Sequence, residues 1–215
     1  MVEVDLLIFD LDGTLIDSLA DIVSSTNHTL EQLGGTALNS ENIRGFVGDG
    51  ISVLLQRALY TQDLMDEHTL RRAVSLYTEH HDRHCLDHVT LVKGVRETLD
   101  YFNGKKLAIA SNKSIRFTRK ILVGLGIDSY FEVILGGDSL PVKKPDPAVL
   151  EWILERTGTD RTKSIMIGDG PQDIQCAKAA GVMSCGITSG FRPGSEINGA
   201  DFLIGSVAEL PGILN

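Results

Sequence analysis

The chain has 215 residues, 42% of them hydrophobic and 23% charged, which are the values of a globular protein and exclude intrinsic disorder. Acidic residues outnumber basic ones 29 to 20, giving a net charge of −9. Such a surface argues against binding a nucleic-acid backbone or an anionic membrane, so no nucleic-acid or membrane partner is expected. The opening MVEVDLLIFD lacks the basic start of a signal peptide, and no apolar run reaches the ~18 residues of a membrane span. Three cysteines without a C-x-x-C pair (Cys85, Cys176 and Cys185) make structural disulfides unexpected and a reducing cytoplasm the expected location.

In chain order, Val4–Phe9 is a short, nearly continuous apolar run of the kind found in strands buried on both faces. Residues 17–82 then carry no strand pattern; they read as helices at Asp17–Leu33, Glu41–Phe46, Ile51–Tyr60 and Thr69–His81. From there strand-like runs at 107–110, 132–136, 164–168, 182–187 and 201–204 alternate with helical patterns at 94–102, 115–126, 147–158 and 173–181. Strand–helix alternation predicts an α/β fold, a Rossmann-like parallel sheet core. The expected organisation is residues 1–16 plus 82–215 as the core and residues 17–81 as an all-helical cap domain inserted after the first strand.

In open parallel sheets chemistry belongs at the carboxyl ends of strands, and four places qualify. Asp10-Leu11-Asp12-Gly13-Thr14 leaves the first strand with two carboxylates on one side, an arrangement suited to Mg²⁺ with phosphate oxygens. An ordinary Asp/Gly turn is the alternative. Ser111-Asn112 supplies a hydroxyl and a backbone N–H, or merely a helix cap. Lys143 and Lys144 stand ahead of a proline-started helix, an arrangement that reverses the overall negative field locally or is simply solvated. Gly168-Asp169-Gly170-Pro171-Gln172-Asp173 brings further carboxylates, of which Asp173 also suits a helix start.

Strand-D-x-D-G-T, strand-Ser, Lys-Pro and strand-G-D-x-x-x-D, in that order, resemble the haloacid dehalogenase-like phosphatase superfamily, and the insert stands where that superfamily has a helical cap. FDLDGTLIDS, RGFVGDG, ASNKS with FTRKIL, and YFEVILGGDSLPVKKPDP are similar to its phosphoglycolate phosphatase branch. Two departures are GDGPQD, without a hydroxyl residue after the first Asp, and Ser114, where relatives often have proline.

The resemblance implies a Mg²⁺-dependent phosphomonoesterase acting on a small phosphorylated metabolite, 2-phosphoglycolate, as a monomer or homodimer. It implies Asp10 as nucleophile forming an aspartyl-phosphate, Asp12 as general acid and then base, and Asp10, the Asp12 carbonyl and Asp169 as metal ligands. Asp173 is expected behind the ligands, with Ser111, the amide of Asn112, and Lys144 on the phosphoryl oxygens. The loop Arg44, Gly45, Phe46, Val47 and Gly48 is expected to choose the substrate, with Arg44 reading a carboxylate. The other readings are a pyrophosphatase or a β-phosphoglucomutase of the same superfamily and, in a different class, a phospho-receiver signalling domain. His80, His84 and His88, spaced i, i+4, i+8, suggest a transition-metal cluster, against which a solvated hinge helix is the favoured reading.

Overall fold

The apolar runs become the strands of one parallel sheet in the computed structural model, which describes residues 1–215. In chain order the elements are β1 (Leu6–Phe9), β2 (Ile16–Asp17), α1 (Leu19–Gln32), α2 (Ser40–Arg44), α3 (Ile51–Tyr60), α4 (Glu67–His84), β3 (Thr90–Leu91), α5 (Val95–Tyr101) and β4 (Lys106–Ala110). They continue with α6 (Ile115–Gly124), β5 (Val133–Leu135), α7 (Ala148–Thr157), β6 (Ser164–Gly168), α8 (Pro171–Ala180), β7 (Met183–Ile187), β8 (Phe202–Ile204) and α9 (Leu210–Ile213). Six strands form the main sheet in the order β5-β4-β1-β6-β7-β8, every neighbouring pair parallel. All six were legible as apolar runs.

Alternation along β1 builds a three-layer core. Leu6 and Ile8 share one buried cluster with Val149, Leu150 and Ile153 of α7 and Ala177 of α8. Leu7 and Phe9 share another with Leu99 of α5, Phe117 and Ile121 of α6, and Leu210. Phe9 pairs with Ile109 on one side and Ile167 on the other. That register brings Asp10, Ser111 and Asp169 out of the sheet at nearly one level. The strand order reverses at β1, and a crevice opens there.

Helices α1 to α4 pack on one another around a separate cluster that includes Ile22, Leu30, Leu54, Leu55, Leu59 and Tyr77. The Asp66 carboxylate caps α4 by accepting from the amides of His68 and Thr69. Two features differ from expectation. β2 and β3 form an antiparallel ribbon, Ile16 opposite Leu91, where the helical segment leaves and rejoins the sheet; two-residue strands are too short to show a period in sequence. And α4 continues to His84, so a boundary at 81/82 falls within a helix.

The histidine run does not form a metal cluster. The rings of His28, His80 and His84 stack with centroids 4.2 and 4.3 Å apart, and their nitrogens do not converge as a ligand group. His88 Nδ1 instead meets Asp21, whose buried carboxylate also accepts from the His88 and Val89 amides and ties α1 to the end of the segment. Asp10, Asp169 and Asp173 are the one group of three or more such side chains whose ligand atoms converge.

His81 is buried, with Nδ1 2.9 Å from the Ser25 hydroxyl and its ring between Tyr77 and Phe117. Burial, reinforced by the Lys113 charge, pushes its pKa down to about 2. Below the ordinary histidine pKa the unfolded chain takes up a proton that the folded chain refuses, so stability falls as pH drops, by about 1.4 kcal/mol per unit. In urea unfolding, the stability advantage of wild type over His81→Gln should shrink by about 2 kcal/mol between pH 7 and pH 5. An advantage constant with pH would show that His81 does not titrate this way.

Candidate active site

Asp10 leaves β1 at the crevice, and Gly13 turns the chain sharply after it with φ +82°. A Cβ on Gly13 would stand 2.4 Å from Asp169 Oδ2, so only glycine allows this close approach. Asp169 follows β6. Its carboxylate accepts from Thr14 Oγ1 at 3.3 Å and from the Phe191 amide at 2.6 Å. Asp173 sits in the first turn of α8 and accepts from the Gly170 amide at 3.0 Å. Lys144 bridges the group: its ammonium lies 2.8 Å from Asp10 Oδ1 and 2.6 Å from Asp173 Oδ1. All four side chains are buried.

The electrostatics follow from the count. Three carboxylates face one ammonium, so full ionisation would leave two negative charges out of water, and protonation is favoured instead. Burial works against the charged form of Lys144, but Asp10 and Asp173 outweigh it and hold its pKa above the ordinary lysine value. Burial raises the Asp10 carboxyl to about 7, opposed by Lys144 and reinforced by Asp173. Burial, with the Asp10 and Asp173 charges behind it, raises Asp169 to about 8.

A divalent cation fits this donor set. The ligand oxygens of Asp10, Asp169 and Asp173 lie within 4.8 Å of one another, all are hard oxygen donors, and the uncompensated charge matches a doubly charged ion. The Asp12 side chain is not part of this group. Lys113 Nζ holds both its oxygens, at 2.9 and 3.1 Å, and Ser18 Oγ donates to one of them.

Around the carboxylates lies a cavity of about 50 Å³, walled by the sheet edge on one side and the helical segment on the other. The backbone N–H groups of Leu11, Asp12 and Asn112 have no acceptor within the chain, a set of free donors suited to an oxyanion. Ser111 lines the cavity. Asn112 Nδ2 donates to the carbonyls of Gly48 at 2.9 Å and Lys144 at 3.0 Å, and so joins the helical segment to the core.

The loop after α2 is only partly where the sequence placed it. Val47 and Gly48 line the cavity; Arg44, Gly45 and Phe46 do not. Arg44 lies 3.8 Å from Glu41 along its own helix, with Nε buried and without a hydrogen-bond partner, and does not line the cavity. The cavity instead holds residues that the sequence reading passed over: Tyr77, Lys113, Gln172 and Arg192. Lys113 and Gln172 adjoin singled-out residues, and Arg192 stands in a Gly/Pro-flanked stretch after the β7 run, the strand-end position where chemistry is expected.

A sequence profile described as haloacid dehalogenase-like hydrolase matches residues 7–187. The chain belongs to that family. It is similar to a phosphoglycolate phosphatase of Colwellia psychrerythraea, 38% identical over 91% of this chain and 89% of that one. A phosphoglycolate phosphatase of Vibrio parahaemolyticus is 36% identical over 97% and 95%. The crystal structure of a predicted phosphoglycolate phosphatase from Haemophilus somnus superposes with a TM-score of 0.92 over 99% of both chains, at 29% identity.

Lys144→Met should leave three buried carboxylates without their counter-charge and cost about 3–5 kcal/mol of stability in chelator-containing buffer. Urea unfolding checks this, and a loss below about 1 kcal/mol would show that the ammonium is not the group's main compensation.

Proposed function

We propose that the chain is a Mg²⁺-dependent phosphomonoesterase whose substrate is a small anionic ester, 2-phosphoglycolate. The observation that carries this reading is Asp10: a buried carboxylate at the crevice, facing the cavity, inside a group of three carboxylates and one ammonium and beside free backbone N–H donors. The phosphoglycolate phosphatases to which the chain is similar support the choice of ester.

In this mechanism Asp10 attacks phosphorus, the bond from phosphorus to the ester oxygen breaks, and Asp12 gives its proton to the departing alkoxide. Asp12 then takes a proton from water, which attacks phosphorus, releases inorganic phosphate and restores Asp10. Lys144, the Ser111 hydroxyl and the free amides hold the phosphoryl oxygens. Asp10, Asp169 and Asp173 would hold Mg²⁺, with the Asp12 carbonyl beside them; the ion supplies charge neutralisation between nucleophile and phosphate dianion. Ser18 and Lys113 orient the Asp12 carboxylate.

The helical segment acts as the cap, moving about the ribbon of Ile16–Asp17 and Thr90–Leu91 to admit substrate. A cavity of about 50 Å³ holds on the order of four waters. It suits a small ester. A phospho-receiver domain has no use for a four-helix segment roofing its acidic pocket.

A panel of phosphate esters with Mg²⁺, containing 2-phosphoglycolate, pyrophosphate, a hexose phosphate and p-nitrophenyl phosphate, should show the highest kcat/KM for 2-phosphoglycolate. Asp10→Asn should reduce kcat by at least about 1,000-fold on every ester. A variant retaining a tenth of wild-type turnover excludes Asp10 as covalent nucleophile, and a hexose phosphate heading the panel replaces the proposed substrate.

A further inference from the structure

Two polar side chains converge on the cavity without protein partners that satisfy them. Arg192, in the loop after β7, has a side chain only 16% exposed. Of its five N–H donors, one on Nη2 reaches the Val47 carbonyl at 2.6 Å. Nη1 is 3.8 Å from the Glu196 carboxylate, beyond hydrogen-bonding distance, and Nε is buried with no partner. Gln172, in the first turn of α8, is 7% exposed, lines the same cavity and makes no side-chain hydrogen bond within the chain. Buried polar groups are ordinarily paired, so the unpartnered Arg192 Nε at the cavity wall, with the unpaired Gln172 amide beside it, points to a ligand.

Their placement defines the ligand's position. A Cβ built on Gly48 would lie 3.0 Å from Gln172 Nε2 and 3.5 Å from Arg192 Nη2. Both donor nitrogens therefore flank one small space, kept open because residue 48 is glycine with φ +121°. The charges in the cavity separate in the same way. Lys113 is paired with Asp12, and Lys144 is paired with Asp10 and Asp173 at the phosphoryl end of the site. Arg192 is the one cation of the cavity wall that is not hydrogen-bonded to a carboxylate. The neighbouring Phe191 amide holds Asp169, so the loop that carries the guanidinium also touches the carboxylate group.

We infer that Arg192 and Gln172 form the subsite for a carboxylate at the leaving-group end of the substrate, Arg192 supplying the charge and the planar fork and Gln172 a neutral donor beside it. This rests on the phosphomonoesterase reading above and assigns the acid-recognising role to the core loop after β7 instead of to Arg44. The Val47 contact makes recognition dependent on the helical segment being seated, because the same guanidinium then meets both the segment and the substrate.

The test compares 2-phosphoglycolate with 2-hydroxyethyl phosphate, an ester of similar size in which a neutral hydroxymethyl group replaces the carboxylate. Arg192→Ala should lower kcat/KM for 2-phosphoglycolate by about 10- to 150-fold more than for the neutral ester, any loss common to both being that of the Val47 contact. Arg192→Lys should fall between, since it keeps the charge and loses the fork. Gln172→Ala should show the same selectivity at smaller size. Retained turnover of the neutral ester shows that each variant folds. Equal losses on both esters overturn the assignment and reduce Arg192 to a clamp on the Val47 carbonyl. Wild-type protein that cleaves neither ester overturns the phosphatase reading itself, and this subsite with it.

Discussion

The structure depends on one arrangement: a lysine ammonium buried between Asp10 and Asp173, with Asp169 close by and no second cation in the group. Burying charge is costly, and a buried pair survives only when its partners satisfy one another. Lys144 does this for two carboxylates and not for three. The residual negative charge is held in place by covalent and steric means: Gly13 lets the turn after β1 press against Asp169, and Asp173 is locked by the start of α8. The fold thus gathers more carboxylate than ammonium at the sheet crevice, a donor set that could hold a divalent cation.

The helical segment completes this site. It has an apolar cluster of its own, and contacts across the cavity join it to the core, among them Asn112 to the Gly48 carbonyl and Arg192 to the Val47 carbonyl. Both reach the loop after α2, so one short stretch reports whether the cavity is covered. Backbone carbonyls serve as the contact points, and Gly48 keeps the space beside them open.

Much of this was legible in the sequence for physical reasons. Strands buried on both faces read as continuous apolar runs, so β1, β4 and β6 and the residues at their ends could be located, and with them Asp10, Ser111 and Asp169. Lys144 was singled out from Lys143 only by the family resemblance, in which the lysine directly precedes a proline. The ribbon of β2 and β3 was invisible because two residues carry no periodicity. Arg44 lies outside the cavity lining, and nothing in a sequence says which way a helix end faces. Arg192 and Gln172 were missed for the converse reason. Their significance lies in what they lack, hydrogen-bond partners, and partners are a property of the folded chain.

The central claim is that the buried carboxylates are built for a divalent cation. The direct measurement is calorimetric titration of the metal-stripped protein with Mg²⁺, alongside Asp169→Asn. The account predicts one binding event per wild-type chain and its loss in the variant, whose fold is confirmed by an unchanged far-ultraviolet circular dichroism spectrum. Absence of binding to the wild type, or equal binding by Asp169→Asn, would contradict it.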